Sequence, residues 1–141
     1  GYVFFTNLNS QKGRQFKANN NLSMCFYWAS IGKQIRIVGT GKVISKSESD
    51  EYFASRPRGS QISAWVSNQS SQIPNRKFLK DREKKFEKKF KNTSVQRPSY
   101  WEGIKICPFE FEFWQEGKFR LHEREVYVLK NNGWVKKTLS P

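Results

Sequence analysis

The sequence predicts a mainly β protein with intervening helices, an α+β fold, and three observations carry that expectation. Aromatic residues make up 16% of the 141 residues, with 12 Phe and 5 Trp, a composition that suits packed β-structure and argues against disorder. Short apolar or alternating runs of strand length lie toward both ends of the chain, bounded by Gly and Asn. Helical patterns fall between them, the clearest over residues 76–91. Strands with helices inserted among them suit a helix-decorated β-barrel better than regular βαβ winding.

Residues 2–6 (YVFFT) read as a strand and 9–19 as a short helix. The apolar run 22–28 is a second strand, ended by Gly32. Over 34–44, Ile35 and Ile37 alternate with Arg36 before Gly39 and Gly41, which predicts a strand with a bend or bulge. Residues 47–55 suit a helix capped by Ser47, with Asp50 and Glu51 early and Pro57 past its end. A second short helix is expected over 60–68, with Ser60 as its cap. In 76–91, Phe78, Leu79, Phe86 and Phe90 fall on one side of a helical wheel with lysines opposite. Strands return at 104–114, 121–130 and 134–139, the last two joined by an Asn-Asn-Gly turn at 131–133.

No linker, repeat or composition break divides the chain, so residues 1–141 read as one domain, and a domain of this size buries roughly two thirds of its unfolded surface. No stretch approaches the roughly 20 apolar residues of a membrane span. The opening GYVFFTN lacks a signal peptide's basic start and an initiator Met, so the chain reads as beginning mid-protein. Cys25 and Cys107 sit in apolar runs and read as reduced core thiols. Two Cys and one His are too few parts for a zinc site or a Cys/His nucleophile, so no metal site is expected.

The net charge of +14 predicts attraction to polyanions, phosphorylated small molecules or acidic surfaces. Residues 76–91 hold nine Lys/Arg against three Asp/Glu and so carry +6 of it. Their aromatics form a buried stripe and do not alternate with the lysines as base-stacking platforms, so a solvated helix face is the better reading than nucleic-acid binding. In SRPRGSQ at 55–61, Arg56, Arg58 and the Ser60 hydroxyl at a helix start make a compact phosphate cradle. In a strand over 121–130, extended back to Arg120, alternate residues share a face, so Arg120, His122 and Arg124 point together. Such a face, with Trp114 upstream, suits a planar anionic ligand. The amides and hydroxyls of SNQSSQ at 67–72 and Gln34 in KQIR suit the hydrogen-bonding edge of a heterocycle.

These segments together resemble the pyridoxine/pyridoxamine 5′-phosphate oxidase family. The matching strings are FFTN, SQKG, KQIRIVG, YFASRPRGSQISAWVSNQSS, EFWQEGKFRLHER and the terminal TLSP, in family order over essentially the whole chain. The resemblance implies a split β-barrel of the FMN-binding type, with flavin mononucleotide (FMN) held between the subunits of a cytoplasmic homodimer. It implies flavin contacts at Phe5, Thr6, Gln11, Lys12, Gln34, Gln69, Ser70, Trp114 and Arg124. Substrate contacts fall on Tyr52, Arg56 and Ser60 for the phosphate, and on Arg120 and His122, the expected catalytic pair, beside the pyridine ring.

The implied reaction oxidises pyridoxamine or pyridoxine 5′-phosphate to pyridoxal 5′-phosphate, with dioxygen as acceptor and hydrogen peroxide as by-product. Two departures from the family stand out. Gln11 occupies a position where the family usually has Arg, one of a basic pair expected to hold the flavin phosphate. The family's upstream strands and their Arg-x-Val-Leu-Leu-Lys motif precede the first residue here, so the domain is expected to lack its N-terminal strands. Two other readings stand beside the oxidase: a flavin- or pyridoxal-phosphate-binding protein without turnover, and a basic nucleic-acid-binding module resting on charge alone.

Overall fold

The apolar and alternating runs become six strands, and the capped polar-apolar segments become four helices. A computed structural model describes all residues 1–141. In chain order the elements are β1 (Tyr2–Asn7), α1 (Gln11–Ala18), β2 (Asn21–Trp28), β3 (Lys33–Val43), α2 (Lys46–Ser55), α3 (Arg58–Val66), α4 (Arg76–Lys89), β4 (Trp101–Gln115), β5 (Glu123–Lys130) and β6 (Gly133–Thr138). The sheet order is β2-β3-β4-β5-β6, with β1 also on β4. The chain forms two compact units, one of residues 1–2, 20–42 and 106–141, the other of residues 3–19 and 43–105.

The first unit is built on antiparallel hairpins. β2 and β3 pair without a break from Trp28 opposite Lys33 to Asn21 opposite Thr40, so the expected bulge at Gly39 is not there. Gly39 has another cause: a Cβ on it would lie 2.4 Å from the Cys107 carbonyl oxygen, so only glycine admits that close approach. β5 and β6 close on the expected turn, with Lys130 opposite Gly133, whose φ of 114° suits glycine. Ile37, Ile106 and Val126 are buried in this unit.

Its outer surface is unusually aromatic. Tyr2, Phe26, Trp28, Phe113 and Trp134 are each at least a third exposed. The alternation FEFEF in β4 runs opposite to a simple hydrophobic reading, because Phe109 and Phe113 face outward while Glu112 is buried. Cys25 is also exposed on β2; both cysteines are free, but only Cys107 is partly covered, so Cys25 is not a core thiol. Its neighbours on β2, Phe26, Tyr27 and Trp28, are exposed as well, which explains why an apolar run gave a surface thiol.

The second unit packs helices around Phe53, Ile62, Val66, Phe90, Val95 and Trp101. Helix α2 starts earlier than expected because Ser45, not Ser47, caps it: Ser45 Oγ accepts the Glu48 N–H, and the Glu48 carboxylate returns to the Ser45 N–H. Helix α3 likewise starts at Arg58 behind Pro57, so Ser60 lies in its first turn and is not its cap. Asn75 caps α4, whose Phe86 and Phe90 pack on Trp65 as the wheel predicts, while Phe78 stays exposed at its outer end. Arg82 ties α4 to the end of α3 by donating to the carbonyls of Trp65 and Val66.

Candidate functional site

In the helical unit, a layered stack joins residues that the sequence assigned to different ligands. The Phe5 ring lies on Tyr52 at 3.9 Å and on Trp101 at 4.9 Å, nearly parallel to both. The Arg56 guanidinium lies over the Trp101 ring at 4.7 Å and over the Phe53 ring at 5.7 Å from its centre. Arg56 Nη1 is buried and has no hydrogen-bond partner. An orphaned charged donor is costly, so its retention points to a ligand that accepts from it. Ser60 is half-buried in the first turn of α3, and Tyr52 keeps nearly half its surface exposed.

Arg58 does not join the cradle. Its Nη1 donates to the Thr93 carbonyl at 2.9 Å and its Nη2 to the Phe90 carbonyl at 2.6 Å. It therefore fastens the start of α3 to the chain after α4. The two arginines of SRPRGSQ separate into one free donor and one structural tie.

The flavin candidates of this unit gather at the end of β1. Thr6 is 2% exposed, and its Oγ1 is a second buried polar atom without a partner. The Gln69 side chain accepts the Asn7 N–H at 3.2 Å, which draws the 67–72 loop to β1. Ser70 sits in that loop with φ 66°, a left-handed conformation that a non-glycine residue adopts at some cost. Gln11 and Lys12 open α1 just beyond β1 and are exposed, with Lys12 Nζ 5.6 Å from the Phe4 ring centre. Ser10 Oγ accepts the Gly13 N–H, while no acidic side chain occupies the first turn. An orphaned hydroxyl, a lysine and an open helix start fit the phosphate and ribityl part of a flavin. Gln11 adds hydrogen-bonding capacity there but no charge.

In the strand unit, Gln34 on β3, Trp114 on β4 and Arg124 on β5 are each half-buried, and Trp114 lies directly opposite Arg124 in the β4–β5 register. Gln34, Trp114 and neighbouring residues of β3, β4 and β5 border a cavity of about 490 Å³. An indole and a primary amide fit the planar, hydrogen-bonding ring system of a flavin; the β5 residues at this cavity are Glu123 and Glu125, while Arg124 lies opposite Trp114 without lining the cavity.

Arg120, His122 and Arg124 do not share a strand face, because β5 begins only at Glu123. Phe119 and Arg120 both adopt left-handed φ angles, 56° and 65°, in a short turn, and Arg120 is exposed. Gly117 makes this turn possible: a Cβ there would lie 1.9 Å from the Leu121 carbonyl oxygen. The turn places His122 against Trp114, ring centres 4.7 Å apart, and the Gly117 N–H donates to His122 Nδ1 at 3.2 Å. His122 Nε2 is therefore the nitrogen that carries the proton.

Sequence reasoning missed Glu112, Arg36 and Trp101. Glu112 is 4% exposed; its Oε1 accepts from Arg124 Nε at 2.9 Å, and its Oε2 pairs with Arg36 Nη2. The hydrogen bond from Arg124, reinforced by the charges of Arg36 and Arg124, holds the Glu112 carboxyl below the usual carboxylate range, although burial opposes it. Glu112 in turn holds the Arg124 guanidinium above its ordinary value. The available signal was parity: Glu112 and Trp114 share a face of β4, and Gln34 and Arg36 share a face of β3.

A family profile described as pyridoxamine 5′-phosphate oxidase matches residues 1–90, and one described as the pyridoxine 5′-phosphate oxidase C-terminal dimerisation region matches residues 101–141. A pyridoxine/pyridoxamine 5′-phosphate oxidase of Trichormus variabilis is 45% identical over all of this chain and 66% of its own length. That of Pelagibacter ubique is 46% identical over all of this chain and 69% of its own length. The chain thus spans about two thirds of such relatives. The crystal structure of PhzG from Burkholderia lata 383, in complex with tetrahydrophenazine-1-carboxylic acid, superposes with a TM-score of 0.91 at 29% identity, over all of this chain and 69% of PhzG. A pyridoxamine 5′-phosphate oxidase-related, FMN-binding protein of Nostoc punctiforme shares the fold at 13% identity, with a TM-score of 0.72 over 99% of this chain and 72% of that one. The fold is accordingly α+β of the split-barrel type, and no helix is long and apolar enough to cross a membrane. With both profiles matched and identities above 40% along its whole length, the chain belongs to the pyridoxine/pyridoxamine 5′-phosphate oxidase family.

Proposed function

We propose that this chain forms the greater part of an FMN-dependent oxidase that converts pyridoxamine 5′-phosphate or pyridoxine 5′-phosphate to pyridoxal 5′-phosphate, using dioxygen and releasing hydrogen peroxide. The observation that carries this reading is the buried, unpartnered Nη1 of Arg56 above Trp101. A phosphate oxygen satisfies that donor, and the Ser60 and Tyr52 hydroxyls are the further donors assigned to the same group. Fixing the phosphate orients the reacting carbon, and orientation is a large share of such catalysis.

FMN, when bound, supplies the two-electron acceptor that no side chain here offers. Thr6, Gln11, Lys12, Gln69 and Ser70 are assigned to its phosphate and ribityl side, and Gln34, Trp114 and Arg124 to its ring. Phe5 contributes by backbone and by bracing Tyr52, since its ring is already stacked. Arg120 and His122 orient and polarise the substrate. His122 does so as a donor from Nε2, because Nδ1 already accepts from Gly117. A homodimer suits the exposed aromatic surface of residues 106–141, which falls within the region matched by the dimerisation profile.

The test has two readings. The purified chain, incubated with FMN and freed of excess, should retain a flavin absorbance band and release peroxide on addition of pyridoxamine 5′-phosphate. Retained flavin without peroxide favours a binding protein without turnover, a reading that the uncharged Gln11 supports. Likeness to PhzG adds a second substrate arm, a reduced tricyclic carboxylic acid. Oxidation of that acid in preference to the phosphorylated substrate would overturn the assignment of Arg56.

A further inference from the structure

Two arginines and one buried carboxylate cluster on the strand unit, on the sides of β3 and β4 that also carry Gln34 and Trp114. Glu112 is almost fully buried on β4, with only 5% of its side chain accessible, against 26% for Arg124 and 48% for Arg36. Burying a carboxylate is unfavourable unless it is paired on both oxygens, and here each oxygen has its own guanidinium. In the register of β4 and β5, Trp114 lies opposite Arg124 while Glu112 lies opposite Val126, so the ion pair runs diagonally across the two strands. Arg124 is held from a second side as well: its Nη1 donates to the Ser140 carbonyl at 3.0 Å, and its own carbonyl accepts the Leu139 N–H at 2.9 Å. Its Nε and one Nη1 hydrogen are thereby committed, while Nη2 has no partner. The guanidinium plane is fixed with one edge still free.

We propose that Glu112 is a positioning residue for flavin binding, which orients Arg124 so that its free N–H groups meet the flavin. This rests on the assignment of Arg124 to the flavin. The two arginines and Glu112 together carry one net positive charge. A purely electrostatic role would make Glu112 a hindrance to an anionic cofactor, and its neutralisation would tighten binding. A positioning role predicts the opposite sign, because a freed arginine must be ordered again on binding.

The experiment measures FMN affinity of the full chain by quenching of flavin fluorescence, for wild type, Glu112→Gln, Arg124→Lys and the double variant, with the unfolding midpoint of each recorded. Glu112→Gln should weaken FMN about tenfold, the scale of one well-aligned charge-assisted contact. The same substitution should change affinity less than twofold when added to Arg124→Lys, since Glu112 acts through that arginine. Unchanged or tighter binding in Glu112→Gln overturns the proposal, and so do penalties that simply multiply in the double variant. If Glu112→Gln does not fold, Glu112→Asp keeps the charge but withdraws it by one methylene, and wild-type affinity in that variant likewise overturns it. A wild-type chain that retains no FMN removes the functional reading and this inference with it, whereas retention that is insensitive to residue 112 removes the inference alone.

Discussion

Arg56→Met separates what a residue does for the fold from what it does for a ligand. In the folded chain Arg56 has an unpartnered buried Nη1, a feature that costs about 1–3 kcal/mol, and a position over Trp101 that returns about 0.5–2 kcal/mol. Methionine removes the orphaned donor and keeps a flexible apolar chain over the indole. The net change in stability is then small, from about 1 kcal/mol lost to about 2.5 kcal/mol gained, or a few degrees in the melting temperature. Affinity moves the other way. Loss of one charge-assisted phosphate contact weakens pyridoxal 5′-phosphate roughly ten- to hundredfold. Urea unfolding followed by tryptophan fluorescence gives the first quantity, and titration with pyridoxal 5′-phosphate followed by its absorbance gives the second. A loss of more than about 2 kcal/mol in stability would make Arg56 a structural tie. Unchanged phosphate affinity would refute the cradle outright.

Arg58→Ala should show the reverse pattern: about 1 kcal/mol lost in urea unfolding with pyridoxal 5′-phosphate affinity intact, since both its nitrogens serve the Phe90 and Thr93 carbonyls. The folded pKa of Glu112 is depressed, so its stabilisation is present above the unfolded value of roughly 4.3 and is lost as pH falls through the folded value. Unfolding curves of wild type and Glu112→Gln should therefore differ by a constant amount from about pH 5 upward and converge only in acid. Gly117→Ala places a Cβ against the Leu121 carbonyl and should cost on the order of 2 kcal/mol, while freeing His122 from Trp114. Because the chain has one histidine, a shift of its imidazole NMR resonances reports that release directly, and an unmoved resonance would contradict the role given to Gly117.

What the sequence made legible, and what it did not, divides along a physical line. Strand and helix existence followed from periodicity and caps, because those signals act within a few residues. The errors fell where a local signal had a competitor nearby. Ser47 looked like a cap, but Ser45 has Glu48 three residues on and completes the reciprocal pair. Gly39 looked like a bulge, but the reason for glycine there is the Cys107 carbonyl, 68 residues away in the chain. Arg120 looked in phase with His122 and Arg124, but Gly117 allows a tight turn that two left-handed residues complete, so the period-two argument did not reach position 120.

The candidate site shows the same limit most clearly in its arginines. Arg58, Arg82 and Arg97 are as cationic as Arg56 and Arg124, and each lies within five residues of an aromatic side chain. Yet Arg58 and Arg82 give their N–H groups to main-chain carbonyls at helix ends. Arg97 gives its own to Asp50, Glu102 and the Trp101 carbonyl. A guanidinium has five donors in a fixed fork, and its function depends on how many of them the fold has already satisfied. Residue type and spacing place the fork, whereas only the folded chain shows which tines are free. Arg56 has a buried nitrogen with no acceptor, and Arg124, held by Glu112 through Nε and by Ser140 through Nη1, keeps Nη2 uncommitted. On the function proposed above, an anionic ligand would complete them, and the high net charge of the chain would assist its capture without determining where it binds.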